Sequence, residues 1–245
     1  MGSLLPFFHA PHEVRHEIGT RLRDRLSVPQ GFAMTGTGSF TVVWRQHGDV
    51  RQAIAIDATA GCDDIKTELT LWLSSEKLSS IWVAALPPAI AAWKAQGDAF
   101  CGGMSHDFRH VLTDLVPSPS EDEVVRFDRF ALGSRAALDD FTARLGDFAA
   151  GKLVPVLDGI GDLPALAAWA LSDSRIEVLR SGNVSLPEQM ASAVLARLAK
   201  PSVFEDVAQA LKTNRHKAQH WRVFNDPAGR HLDRLIEHLR AMPGS

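Results

Sequence analysis

Residues 39–73 hold three runs in which apolar and polar side chains alternate, and no other pattern in the chain restricts the fold as much. In the first run Phe40, Val42 and Trp44 fall on one face, and Thr41, Val43 and Arg45 on the other. The middle run, Asp49 to Asp57, alternates through Ile54 and Ile56 with Ala53 and Ala55 between them. In the third, Ile65, Thr67, Leu69, Leu71 and Leu73 alternate against Lys66, Glu68, Thr70 and Trp72. A period of two is a strand signal. His47-Gly48-Asp49 fits a short hairpin turn, and Thr59 to Asp64, with Gly61, a longer one. Gly31 to Met34 reads as a further strand, with Gly36-Thr37-Gly38 as its turn. Consecutive strands with short connections form an antiparallel meander, with one face apolar under helices and the other wetter.

Most of the remaining chain reads as helix. Pro11 to Leu26 carries Val14, Ile18, Leu22 and Leu26 at helical spacing, and Ser27-Val28-Pro29 is expected to end it. Ser74 to Gln96 reads as a short helix or extended segment, then a helix from about Ala89. Ser105 to Leu115 reads as a helix with Phe108, Val111, Leu112 and Leu115 on one side. Residues 117–123, acidic and with two prolines, make the best linker candidate, and Glu123 to Leu132 reads as another strand. From Ser134 the pattern is helical throughout. Ser134 caps a helix bearing Leu138, Phe141, Leu145 and Phe148, and Asp162-Leu163-Pro164 opens the next, to Leu171. Ser185-x-x-Glu188 and Ser202-x-x-Glu205 have the form of capping boxes, and Asp226-Pro227 opens a last helix with Leu232, Leu235, Ile236 and Leu239. The fold class expected is α+β: an antiparallel β-meander packed against helices, with an all-helical C-terminal half. One domain over 1–245 is the primary division, with a sub-division into 1–116 and 124–245 as the alternative.

Composition narrows the function classes. The chain is 45% hydrophobic and 22% charged, ordinary for a globular protein. Net charge is −3, but residues 200–245 carry +3 and the preceding residues −6. That tail is mildly basic, well short of a nucleic-acid arm. No apolar run reaches the roughly 18 residues that a membrane span needs. The opening segment is short and lacks the basic start of a secretory signal, so cytoplasmic residence is expected. Cys62 and Cys101 have no metal-binding spacing and are expected as reduced thiols.

Motifs for chemistry are sparse. His12-Glu13-Val14-Arg15-His16 matches HExxH, in which two histidines bind zinc and the glutamate activates water. Here Arg15 and Glu17 flank His16, and both histidines point away from the Val14/Ile18/Leu22 stripe. That places them in solvent. His106 with His110, and His216 with His220, repeat the spacing and read as solvated faces. There is no GxSxG elbow, phosphate-binding glycine loop or GxGxxG fingerprint. Gly36-Thr37-Gly38-Ser39 leads into a strand and offers no helix N-terminus to a phosphate. The segment Arg215 to Arg222 mixes cations with Trp221, too few for a nucleic-acid footprint. Trp72 shares a strand face with Lys66, Glu68 and Thr70, and an indole among charges resembles an interface anchor.

The order of parts resembles a bacterial domain-of-unknown-function family whose members are suspected immunity proteins encoded near polymorphic toxins. The likeness is carried over roughly residues 11–215 by a leading helix, Gly31-Phe32 before the sheet, and the meander. Phe127-Asp128, Leu138, Phe141, Leu145, Val154-Pro155-Val156-Leu157-Asp158, Leu163 and Leu166 then follow before the last helices. The resemblance implies stoichiometric binding of one cognate toxin and supplies no functional residues. The expectation is therefore a non-catalytic, cytoplasmic protein-binding protein with no cofactor, no metal and no catalytic residue. Its partner surface is placed on the wetter sheet face and the adjoining loop: Asp63, Asp64, Lys66, Glu68 and Trp72. The competing readings are an enzyme with a site between sheet and helical half, a metal-dependent hydrolase through His12, Glu13 and His16 foremost, and a nucleic-acid-binding module using the basic C-terminal segment.

Overall fold

The computed structural model describes residues 10–36, 39–61, 64–84, 92, 107–111, 116, 129–181, 184–214 and 230–242. The alternating runs form strands β1 (Ala33–Gly36), β2 (Thr41–His47), β3 (Val50–Ala60) and β4 (Ile65–Ser74). With β5 (Phe108–Val111) they lie in the order β1-β2-β3-β4-β5, and β6 (Arg129–Leu132) also pairs with β4. All pairs are antiparallel. β6 covers the first half of β4, Ile65 opposite Leu132 and Glu68 opposite Arg129. β5 covers the second half, Thr70 opposite Val111 and Leu73 opposite Phe108. Two short strands laid end to end thus close the edge of a long one, removing an open hydrogen-bonding edge. The class is α+β.

The period-two pattern sorts the sheet into two unequal faces. Val43, Ile54, Ile56, Leu69, Leu71 and Leu73 are fully buried on one side, where helix α1 (Pro11–Gln30) packs on β1, β2 and β3. Val14, Ile18, Leu22 and Leu26 of α1 meet that side, so the helical and strand periods share one core. α1 does not stop at Ser27-Val28-Pro29 as expected. It continues to Gln30 and ends at Gly31, whose φ of 70° lets its N–H return to the Ser27 carbonyl at 3.0 Å. A left-handed glycine is a stronger stop here than a proline tolerated in the last turn.

Helix α2 (Glu76–Ala84) follows β4 directly. The helix expected over Ser105 to Leu115 is instead β5: Phe108 and His110 point into the core while Arg109 is exposed. Edge pairing with β4 overrides local propensity, as it does for short strands generally. The polar linker at 117–123, the helix expected from Ala89, the segment 123–128, Cys62, Cys101 and the Asp226-Pro227 helix start lie outside the described residues.

The C-terminal half is helical. α3 (Arg135–Phe148) is capped by Ser134, whose hydroxyl accepts from the Ala137 N–H at 3.2 Å. It runs through a π turn, Ala149–Leu153, into α4 (Val154–Asp158). Pro155 has no N–H for the Gly151 carbonyl, and the widened turn absorbs that loss. α5 (Leu163–Ala170) starts at Asp162, which accepts from the Ala165 N–H at 2.8 Å. α6 (Asp173–Ser181) and α7 (Leu186–Ala199) follow. α7 is buried all round from Met190 to Ala196, because α2, α5, β5 and the last two helices surround it. A 3₁₀ turn, Pro201–Val203, leads into α8 (Phe204–Asn214), and α9 (Arg230–Ala241) buries Leu232, Leu235, Ile236 and Leu239. One hydrophobic cluster runs from Val14 to Leu239. No single helix among the described residues is long and apolar enough to cross a membrane.

The two expected capping boxes differ in outcome. Ser185 caps α7, accepting from the Glu188 N–H at 3.3 Å, but the Glu188 carboxylate turns to His110. Ser202 lies within the 3₁₀ turn, and Glu205 is taken by Arg240 of α9 in a two-pronged pair. Arg240 holds the Glu205 carboxyl below its ordinary value, and the same contact raises the Arg240 guanidinium. A lowered carboxyl contributes stability above its unfolded pKa, lost as pH falls through the folded one. The pair is exposed, so Glu205→Gln should cost only about 0.2–1 kcal/mol at neutral pH. The difference from wild type should vanish on acidification, as chemical denaturation at several pH values would read.

The β2–β3 hairpin is tied to the α4–α5 connection. Gly48 has a φ of 57° and packs on the Gly161 carbonyl, which accepts from the Asp49 N–H at 2.8 Å. Gln52 donates to the Leu157 and Ile160 carbonyls at 2.7 and 2.8 Å. Arg45 binds the Gln52 side-chain oxygen at 2.8 Å and Asp158 at 2.6 Å. Gly48→Ala should therefore cost about 2–3 kcal/mol, from a left-handed backbone and from overlap with Gly161. Gly36→Ala, with open space around it and no positive φ, is the control expected to stay within about 0.5 kcal/mol in the same thermal melt.

Candidate functional site

The face of the sheet turned from α1 is wet at one end only. Along β4 it runs from exposed Lys66 through half-buried Glu68 to buried Thr70, Trp72 and Ser74. The dry end is a second apolar cluster of Val42, Ala53, Ala55 and Trp72, with Phe40 and Trp44 against it. Ala53 stands opposite Trp72 in register, and its methyl leaves room for the indole. Phe40 meets that indole edge-on, centroids 5.4 Å apart. Trp72 is 2% exposed, so the expectation of an exposed anchor there is overturned. The small alanines of β3 that make this burial possible also weakened that strand's alternation in the sequence.

The wet end is a cleft of about 440 Å³ bounded by Asp57, Thr59, Lys66, Thr67, Glu68, Phe130 and Ala131. Its charged wall follows from register. Asp57 of β3 faces Glu68 of β4, and Thr59 faces Lys66. β6 supplies the other wall: Phe130, stacked on Phe141 at 4.8 Å, receives the Thr67 hydroxyl on its carbonyl at 3.1 Å. Glu68 lies 3.7 Å from Arg109 of β5. The side chains of Asp57 and Lys66 make no hydrogen bond or ion pair among the described residues. Of the five residues expected to form a contact surface, Lys66 and Glu68 line this cleft. Asp64 is half-buried in the β3–β4 turn, where its carbonyl accepts from the Gly61 N–H at 2.8 Å. Asp63 lies outside the described residues. Asp57 and Thr59 were missed, although extending the β3 alternation past Ile56 places them on this face. Phe130 and Ala131 fall in the strand expected to end at Leu132, but their place beside β4 depends on the pairing of β6.

The histidines separate into two kinds. His12 and His16, with Glu13, lie on the exposed side of α1 as expected. His110 does not: it is 9% exposed and sits between the sheet and the helical half. Arg175 of α6 reaches its Nδ1 at 2.9 Å, its Nε2 lies 3.3 Å from Glu188, and Trp169 meets the ring edge-on at 5.0 Å. Glu188 is also buried, and Arg175 lies over the Trp169 ring. This group joins β5 to α6 and α7 through polar contacts and to α5 through the Trp169 ring. Among the described residues no set of three or more His, Cys, Asp or Glu side chains is placed to hold a metal ion.

A second, smaller cleft of about 330 Å³ lies between α1 and α3, bordered by Arg21, Arg25, Asp139 and Asp147. Arg21 bridges Glu17 and Asp139 at 2.6 and 2.7 Å. Partial burial pulls its pKa down, but the bonds to Asp139 and Glu17 outweigh that and leave it raised. Arg25 pairs with Asp147 at 2.8 Å. The charges here are satisfied within the chain and hold the two helices together. Comparison with protein-family models, with curated proteins and with solved structures finds no match for this chain.

Proposed function

We propose that the chain is a non-catalytic protein-binding protein that acts through the open end of the second sheet face, with a cognate bacterial toxin as its partner. The observation that supports this reading is the cleft at that end. It presents Asp57, Lys66 and Glu68 to solvent on rigid, paired strands, with β6 alongside at Ala131. Charged groups held on a sheet are preorganised for a partner and favour fast, selective association. The toxin as partner comes from the likeness in the order of parts to suspected immunity proteins. A specific interface of this type would bury about 1,200–2,000 Å² and so extend beyond the cleft itself.

Affinity capture from the native host, followed by sedimentation of the purified pair, tests the reading. A one-to-one complex that abolishes the partner's toxicity is expected. Lys66→Glu and Glu68→Arg should each weaken it by about tenfold or more, with Lys66→Glu leaving the unfolding midpoint in place. Unchanged affinity in both variants would remove this face from consideration. Turnover of a substrate by the purified chain would overturn the non-catalytic reading itself.

A further inference from the structure

The groups around His110 dictate where its proton sits. A guanidinium carries donors only. Arg175 Nη1 stands 2.9 Å from His110 Nδ1, so Nδ1 accepts and the ring is neutral. The single ring proton is then on Nε2, which faces the buried Glu188 carboxylate at 3.3 Å. Turning the ring over would set carbon atoms against both partners. Arg175 and Glu188 are the charged groups that meet the ring among the described residues. From α5 Trp169 meets it edge-on at 5.0 Å, and from β4 the residue opposite in register is the fully buried Leu71. On β5 itself Arg109 lies toward Glu68, and Asp107 is engaged by Ser75, Ser79 and Trp82. On α6 Asp173 is exposed and Glu177 pairs with Arg180.

We propose that the Arg175–His110 contact is a proton-sensitive latch, which holds α6 against the edge strand β5 at neutral pH and releases it in mild acid. A proton on Nδ1 would set two cationic donors face to face, so ring protonation and the contact exclude each other. Only the released ring takes up the second proton. The latched state is therefore fully favoured above the released ring's pKa, ordinarily about 6.5, and loses ground by about tenfold for each pH unit below it. Glu188 stays beside the ring and receives the imidazolium charge, so release leaves no bare cation in the seam. Arg175 is only half-buried, so its guanidinium leaves into water.

Two measurements on the full chain test the latch. At neutral pH the ¹⁵N shifts of the His110 ring should report a bare Nδ1 and a protonated Nε2. A proton on Nδ1 at neutral pH would overturn the proposal without any substitution. Amide hydrogen exchange, corrected for the intrinsic effect of pH, should show protection across α6 falling about tenfold from about pH 7.5 to about pH 5.5, a window above the ordinary carboxyl range. His110→Asn sets an amide oxygen near the place of Nδ1 but cannot gain a proton, and should abolish that fall. Arg175→Leu removes the donor, should abolish it too, and serves if the first variant does not fold. An equal fall in wild type and either variant would overturn the proposal, as would a wild-type fall spread evenly over the chain.

Discussion

Replacing Trp72 by alanine should destabilise the protein by about 3–5 kcal/mol, the range for removing a large buried aromatic. The indole is 2% exposed, set above Ala53 and against Val42, Ala55 and Phe40. Val42, Ala53 and Ala55 are too short to refill the space, and the strands that hold them are locked by pairing on both sides. The loss should appear as a lower midpoint in urea with little change in slope. Lys66→Glu, six positions earlier on the same face, should move that midpoint by less than the equivalent of about 0.5 kcal/mol. A Trp72→Ala protein as stable as the Lys66→Glu protein would mean that the indole is open to solvent and that the second cluster does not exist. The contrast also bears on binding experiments: a lost interaction in Trp72→Ala reports unfolding, whereas one in Lys66→Glu reports the surface.

Asp107→Ala should cost about 3 kcal/mol or more, since each orphaned buried donor alone costs about 1–3 kcal/mol. The carboxylate is fully buried immediately before β5 and gathers three donors from the start of α2 and beyond. The Ser75 N–H reaches one oxygen at 2.8 Å, and the Ser79 hydroxyl and the Trp82 indole N–H reach the other at 2.8 and 3.3 Å. Its own N–H meanwhile bonds the Leu73 carbonyl at 3.0 Å. One residue therefore joins the end of β4, the first turns of α2 and the strand that closes the sheet. Ser79→Ala removes the hydroxyl's bond to Asp107 and should cost about 1 kcal/mol. Thermal unfolding of the two variants, followed by tryptophan fluorescence, separates these values. Equal losses would show that the carboxylate is not the junction described.

Much of this architecture could be read from local pattern. The strands β2, β3 and β4 are long enough for period two to be unmistakable, and the Gly48-Asp49 turn between paired His47 and Val50 is where the alternation predicts it. Ser134 and Asp162 cap the helices they were expected to cap, because a short oxygen-bearing side chain before an apolar repeat has few other uses. The buried stripes of α1, α3 and α9 follow from spacing alone. Half of the cleft was readable for the same reason: Lys66 and Glu68 alternate with Thr67 and Leu69, so their face was never in question.

What the chain order could not show is who sits beside whom across long separations. Four residues, Phe108 to Val111, are too few to tell a strand from a helical turn, and only the vacant half of the β4 edge makes them a strand. Glu188 has the spacing of a capping box, yet a buried imidazole competes for its carboxylate, and the buried partner prevails over the exposed one. Trp72 has charged neighbours in sequence but apolar neighbours in space, because the register with β3 brings Ala53 and Ala55 alongside it. Asp57 and Glu68 become a facing pair only once that register exists. The sequence by itself determined the long strands and the capped helices and which face their side chains take, since those depend on periods of two and 3.6 residues. The tertiary structure alone decided which end of the second face stays open, since burial is set by the size and pairing of residues far away along the chain.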